Sequence, residues 1–256
     1  MKYSKKIANF IEKLDYRDIP KETVQKAKYC FIDWLGAVYA AYKSPLAEKY
    51  INFARNLGNE GEHLIIGSSY TTSLPWSIFA NAALGHIAEV DDGHRTSIIH
   101  PGAVVMPVAF ELGLDCKLTG KEILTSIVAG YDVAIRIGEC LGDQHYTIWH
   151  TTATAGTFGA TAAAAKIYNL KQEEIVNALG HAGTQASGLW QFLLDGAVDA
   201  KAFLEDGEPL PKEEAVTKKV TPSKKEVVLK DKAKARGKGV KEDSPVETDD
   251  EEEYDD

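Results

Sequence analysis

The chain has 256 residues, a net charge of −9, and 44% hydrophobic and 9% aromatic residues, which is ordinary for a globular protein with a substantial core. The acidic balance leaves no basic surplus to neutralise phosphates, so a nucleic-acid partner is not expected. Cys30, Cys116 and Cys140 stand far apart without a CxxC pair, which argues against a disulfide framework, a structural zinc site or a cysteine-held iron–sulfur cluster.

Apolar residues recur at three- and four-residue spacing along the first part of the chain, which predicts an all-α helical bundle. Thr119 followed by Glu122 predicts a capped helix start. The N-terminus has no apolar h-region, and the longest small-apolar segment, 153–165, is too short to span a bilayer. We therefore expect a cytoplasmic protein without a membrane partner. Helices are predicted over 7–14, 24–38, 45–57, 77–88, 102–114, 123–141, 153–168 and 170–183, with one short strand over 63–66.

The composition changes after Lys201. Residues 205–256 are rich in Lys, Glu, Asp, Pro and Val, with Tyr254 as their single aromatic residue, and cannot bury enough apolar surface to offset chain entropy. We expect a helical domain over residues 1–201 and a disordered, charged, low-complexity tail over 202–256. The tail is basic over 218–241 and acidic over 242–256, so it is either self-compensating in solvent or a docking element for a basic partner.

The densest polar segment, residues 89–102, lies between two apolar helices and contains Asp91, Asp92, His94 and His100. Crowded carboxylates and histidines suit proton transfer near neutral pH, and the N-terminal amides of the next helix could hold an anionic substrate. Two alternatives stay open. The segment could be a polar loop with surface salt bridges, or a metal site, although its residues match no established metal spacing.

Two later segments are weaker candidates on their own. His150 precedes a helix of small residues and could be a cap, a packing residue or a functional group. The glycines and serines of residues 180–192 indicate either close helix packing or backbone exposed to a ligand. No phosphate-binding loop, dinucleotide-binding glycine motif or GxSxG elbow is present, which disfavours nucleotide chemistry and nucleophilic catalysis.

Taken together and in order, these segments resemble the MmgE/PrpD family, which includes 2-methylcitrate dehydratase, cis-aconitate decarboxylase and iminodisuccinate epimerase. One such motif would be weak, but the ordered set covers residues 1–201. The matching pieces are FIDWLG (31–36), ALGH (83–86) continuing into EVDDGH (89–94) and HPG (100–102), His150 with GTFG (156–159), AGTQASGL (182–189), and DGA (195–197) with Lys201.

The resemblance implies a cofactor-independent lyase or isomerase for small di- or tricarboxylic acids, similar to 2-methylcitrate dehydratase of propionate metabolism. Proton removal next to a carboxylate would be followed by loss of water, decarboxylation or epimerisation, without a metal. Cationic and hydrogen-bonding groups would stabilise the developing negative charge. By position, Asp91, Asp92, His94 and His100 would supply acid/base groups, His150 and Lys201 would bind or protonate the substrate carboxylate, and Glu89, Thr151 and Gln185 would contribute to substrate binding.

The sequence departs from the family pattern at two places. Glu89 stands where the family usually has Asp, and Lys201 is not followed by the family's Leu-His-x-Gly motif, further helices and α+β lid. We therefore expect an incomplete bundle whose exposed apolar surface is covered by a complementing chain or a second copy, as in a homodimer. The alternative function is a non-catalytic helical scaffold with a charged docking tail.

Overall fold

The computed structural model describes residues 2–190 and confirms the predicted all-α class. A two-stranded antiparallel hairpin, β1 (His63–Leu64) and β2 (Thr71–Thr72), is inserted between the third and fourth helices, and a 3-10 turn (Tyr16–Asp18) follows the first. The helices are α1 (Lys2–Lys13), α2 (Lys21–Ala41), α3 (Pro45–Leu57), α4 (Leu74–Ile87), α5 (Pro101–Asp115), α6 (Gly120–Tyr146), α7 (Thr151–Ile167) and α8 (Gln172–Gln185).

Two predictions, the site residue Lys201 and the charged tail, concern residues beyond 190. Lys201 and the tail over 202–256 lie outside the described residues. Within residues 2–190, no helix combines the length and apolar character that crossing a membrane requires. The predicted strand over 63–66 is shorter than expected, and its partner strand was not predicted.

The start of α6 confirms the capping motif read from the sequence. The Thr119 hydroxyl accepts a hydrogen bond from the Glu122 amide at 3.4 Å, and the Glu122 carboxylate accepts one from the Thr119 amide at 2.8 Å. The helical segment runs to Tyr146, but its backbone leaves the helical conformation directly after the predicted end at residue 141. Gly142 lies inside it with φ of 68°, a left-handed conformation that glycine adopts without steric cost, so the predicted end coincides with a kink.

Helices α6 and α7 approach each other closely enough for their backbones to touch. A methyl group on Gly159 would lie 2.8 Å from the Gly130 carbonyl oxygen, and one on Gly130 would lie 2.9 Å from the Gly159 carbonyl oxygen. Only glycine leaves room for this contact, because any Cβ would overlap the facing carbonyl. The crossing places the first turn of α7 beside the start of α5.

The end of α4 is fixed by an equally close contact with α2. The Trp34 ring is 1% exposed and lies over Gly85, where a methyl group would come within 2.4 Å of the indole nitrogen. Phe31 and Phe110 pack around the same ring at centroid distances of 5.7 and 6.2 Å. The last turn of α4, which carries His86, therefore rests on a rigid aromatic core.

Candidate active site

Two helix starts and one helix end meet at a cluster of histidines. His86 lies in the last turn of α4, His100 directly precedes α5, and His150 directly precedes α7. The His100 amide donates a hydrogen bond to the Thr152 hydroxyl at 3.0 Å, which ties the two helix starts together. The tertiary fold therefore brings together three segments whose histidines are up to 64 residues apart in the sequence.

Asp91 is the carboxylate at the centre of this cluster. Its two oxygens lie 3.2 and 3.0 Å from His86 Nδ1, and one of them lies 3.5 Å from His100 Nδ1. The side chain of Asp91 is 0% exposed, against 28% for His86 and 34% for His100. Asp91 is thus a buried carboxylate whose two imidazole neighbours reach solvent.

The third histidine of the cluster, His150, contacts its neighbours through its ring. His150 stacks on His86 with ring centroids 6.0 Å apart and an interplanar angle of 15°. The Trp190 ring packs against His150 with a centroid distance of 4.8 Å and an interplanar angle of 46°. The His150 amide donates a hydrogen bond to the Gly188 carbonyl at 2.8 Å, so residues 188–190 run along the start of α7 and hold the ring in place.

The environment moves the pKa values of these histidines in opposite directions. Burial alone lowers the pKa of His86, but the hydrogen bond that His86 donates to Asp91 and the charges of Asp91 and Glu89 together raise it above the ordinary value. Burial, followed by the nearby His86 and His100, lowers the pKa of His150 to about 4. One imidazole therefore favours the protonated form and its neighbour the neutral form, which is the pairing that acid and base catalysis require.

The helix starts add a preference for anions. The first turns of α5 and α7 contain no acidic residue, and neither His100 nor His150 caps its helix with its side chain. Amide groups at a helix N-terminus carry a partial positive charge that attracts carboxylates and phosphates. A small anionic substrate held between these two helix starts would therefore contact the histidines.

Asp92 contacts other groups than Asp91 does, and its contacts are structural. Its carboxylate accepts hydrogen bonds from the Gly102 amide and the Tyr131 hydroxyl, both at 2.9 Å. Burial, partly offset by these two bonds, raises its pKa. Since both oxygens are committed to the start of α5 and to α6, we interpret Asp92 as the residue that anchors α5 rather than as a proton-transfer group.

The remaining predicted site residues divide between the cluster and other places. Glu89 reaches it, with a carboxylate oxygen 3.9 Å from His86 Nε2. Thr151 is buried at the first position of α7. His94 faces its own loop, where its Nδ1 lies 2.9 Å from the Ser97 hydroxyl. Gln185 is exposed at the last position of α8.

Two residues of the cluster were not predicted as functional. His86 was part of a matched motif, and its position five residues before Asp91 at the end of a helix was the available signal. Trp190 belongs to a glycine-rich segment, and nothing in that segment indicated that its indole would donate a hydrogen bond to the Tyr146 carbonyl at 2.6 Å. Both contacts depend on the packing of separate helices.

Three side chains of the cluster are grouped in a way that could in principle bind a metal ion. One donor atom from each of His86, Asp91 and His100 lies within 4.8 Å of the others. We do not assign these residues as metal ligands, because the direct bond between His86 and Asp91 already pairs two of the three groups. The expected absence of a metal stays a prediction. Of the four sequence candidates for ligands, Asp92 and His94 have other partners.

Comparison with known proteins identifies a matching family model and curated relatives. The family model described as the MmgE/PrpD N-terminal domain matches residues 5–208. The chain is 26% identical over 199 residues to cis-aconitate decarboxylase of Aspergillus terreus, which covers 75% of this chain and 41% of that protein. It is 25% identical over 201 residues to the cis-aconitate decarboxylase-like protein oryM of Aspergillus oryzae, with 75% and 42% covered. The chain thus matches about two fifths of the length of these curated relatives.

Proposed function

The chain belongs to the MmgE/PrpD family, and from that premise we propose that it carries the acid–base site of a cofactor-independent lyase acting on a small di- or tricarboxylic acid. The observation that supports this most is the convergence of Asp91, His86, His100 and His150 beside two helix N-termini. Because both curated relatives carry the name of a cis-aconitate decarboxylase, cis-aconitate is the first substrate to test, ahead of 2-methylcitrate.

The reaction would begin with an anionic substrate held by the starts of α5 and α7. Removal of a proton by a base, or loss of carbon dioxide, leaves an electron pair on the carbon next to a carboxylate, and nearby N–H groups stabilise that pair until a donor protonates the carbon. Asp91 is the proposed group that exchanges the proton with the carbon, and His100 is the proposed partner that contacts both Asp91 and the substrate. In a decarboxylation, the carbon–carbon bond to the leaving carboxylate breaks and the carbon then takes up a proton.

His150 has a different role in this proposal. Its lowered pKa keeps the ring neutral near pH 7, so it donates one hydrogen bond to the substrate carboxylate without carrying a charge. Lys201 would supply the positive charge at the same end of the substrate. That role rests on its place in the family motif, since Lys201 lies outside the described residues.

The experiment is to incubate the purified full chain with cis-aconitate, 2-methylcitrate and iminodisuccinate and to follow each acid by proton NMR. We expect turnover of one of them, with His100→Gln reducing kcat/KM by at least about 100-fold. His94→Gln is the matched control, because that histidine lies in the same loop but bonds to Ser97, and we expect it to retain most of the activity. Inertness of the wild type toward all three acids would favour the non-catalytic scaffold instead.

We also propose that the domain works in association with a second chain or a second copy. Tyr29, Ile32 and Tyr39 lie on one face of α2 and are 59%, 64% and 59% exposed. Three large apolar residues in a row along one helix are typical of a covered surface. Light scattering on the purified protein tests this proposal, which predicts a mass above that of one chain and a loss of association in Ile32→Glu.

A further inference from the structure

His86 lies between two carboxylates, one on each side of its ring. Its Nδ1 is 3.0 Å from the nearer oxygen of Asp91, and its Nε2 is 3.9 Å from an oxygen of Glu89. The first distance is a direct hydrogen bond, and the second is an ion-pair separation that a small side-chain rotation or one bridging water spans. The three groups therefore form a continuous polar path.

The path leads from a buried group to solvent. The Asp91 side chain is fully buried, whereas those of His86 and Glu89 are 28% and 29% exposed. Decarboxylation consumes one proton per turnover, so a buried carboxylate that protonates the substrate carbon needs a supply of protons from water before the next cycle. An imidazole provides one, because it can accept a proton at one nitrogen and release another from the second.

The backbone of Glu89 explains how its side chain reaches His86. Its φ angle is 51°, in the left-handed region that residues other than glycine, asparagine and aspartate rarely enter. This conformation turns the chain sharply after α4, and the long side chain of Glu89 returns to His86 in the last turn of that helix. Lys117 and Asn169 take the same conformation directly after the C-caps of α5 and α7, so this is the left-handed end that many helices have, and here it sets the direction of the Glu89 side chain. A shorter side chain at this position would leave a wider gap to Nε2.

We propose that Glu89, His86 and Asp91 form a proton relay in which His86 orients the Asp91 carboxylate and exchanges protons between it and Glu89. In one cycle, Asp91 gives its proton to the substrate carbon and takes the Nδ1 proton of His86, while Nε2 accepts a proton from water through Glu89. The ring is then neutral with its proton on Nε2, and exchange of that proton through solvent to Nδ1 restores the starting tautomer. The relay therefore delivers one proton from water for each proton that the substrate carbon takes up. The function of Asp91 in this statement rests on the proposed function, whereas the relay itself is a property of the folded chain.

A test of the relay has to separate the effect of Glu89 on His86 from the effects of the other titratable groups around the ring. The titratable groups facing it among residues 2–190 are Glu89 and Asp91 from the loop, His100 at the start of α5 and His150 at the start of α7. The raised pKa of His86 agrees with the effects of both carboxylates. A relay requires both of them, while a merely structural histidine would need only the closer bond to Asp91.

The first test is independent of any substrate. In NMR of the full chain with labelled histidine, we expect Glu89→Gln to lower the pKa of His86 by about half a unit to one unit, as for loss of a charge at this separation near a surface. His181→Asn, on the exposed face of α8, removes an unrelated histidine signal and is the control that should leave His86 unchanged. A His86 titration unaffected by Glu89→Gln overturns the relay, whether or not the chain has activity.

The second test uses the substrate that the wild type turns over. His86→Asn keeps an N–H group near the position of Nδ1 but has nothing at the position of Nε2, so it separates orientation of Asp91 from proton exchange. We expect its kcat to fall about tenfold or more with little change in KM, and to recover partly with added imidazole buffer. A fall that no buffer rescues assigns His86 a structural role and overturns the relay. If the wild type turns over none of the acids, the proposed function fails and the NMR titration alone decides the relay.

Discussion

Replacing Gly102 by alanine tests how the start of α5 is anchored beneath the site. Gly102 is the second residue of α5, and its amide donates a hydrogen bond to Asp92 at 2.9 Å. A methyl group at this position would lie 2.6 Å from that carboxylate oxygen and 3.1 Å from the Tyr131 hydroxyl. Both distances are well inside a favourable heavy-atom contact of about 3.5 Å, so Asp92 must move.

The cost follows from what holds Asp92 in place. Its other oxygen accepts a hydrogen bond from Tyr131 at 2.9 Å, so movement away from the methyl group weakens one or both bonds. Overpacking costs about 1–3 kcal/mol, and a weakened bond to a buried charged group costs about 1–2 kcal/mol more. The better helix propensity of alanine returns up to about 1 kcal/mol. The expected net loss in the free energy of unfolding is about 2–3 kcal/mol.

Urea unfolding monitored by circular dichroism measures this loss. With a slope of about 2 kcal/mol per molar urea, the midpoint is expected to fall by about 1 M. Gly36→Ala is the matched control, because Gly36 lies inside α2 with no atom within 4 Å of the added methyl group, and it should gain about 0.5–1 kcal/mol. Tyr131→Phe should combine with Gly102→Ala less than additively, since both act on Asp92. An unchanged midpoint for Gly102→Ala, or strict additivity, would refute the anchoring role.

Three further predictions concern the core, the cluster and its metal content. Gly159→Ala is expected to cost about 2–4 kcal/mol of unfolding free energy by separating α6 from α7. Gly180→Ala is the control and should cost nothing, because the space around Gly180 is open. Equal urea midpoints for the two variants would contradict the close crossing of α6 and α7. Because its neighbours raise the pKa of His86, its protonated form adds stability that is complete below the unfolded value of about 6.5 and is lost as the pH rises through the folded value. The stability difference between the wild type and His86→Asn should therefore narrow in urea titrations as the pH rises from about 6.5 through the raised folded value, and a constant difference would argue against the pairing with Asp91. Elemental analysis should find no stoichiometric zinc, manganese or iron, and dialysis against a chelator should leave turnover unchanged; a tightly held ion would overturn the metal-free site.

The sequence by itself determined the helices, because their signals are local. Apolar spacing along one helix and the pair Thr119 and Glu122 are read within a few residues, and the structure confirms both. The family was equally accessible, since its motifs are ordered along the chain and match over residues 5–208. The predicted end of α6 at residue 141 is followed at once by Gly142, whose backbone is not helical, but a local signal for a break does not reveal that helical turns resume after it.

Only the tertiary structure decided which polar side chains meet. Asp91 and Asp92 are adjacent in sequence and of the same residue type, yet Asp91 lies beside His86 and His100 whereas Asp92 anchors the start of α5. The sequence does not distinguish His86 from an ordinary helix residue. Its role depends on the contact between Gly85 and Trp34, which positions the last turn of α4 beside Asp91. The physical reason is that a helix or a cap forms from contacts within a few residues, whereas a site forms where distant segments are brought together by close packing of their backbones.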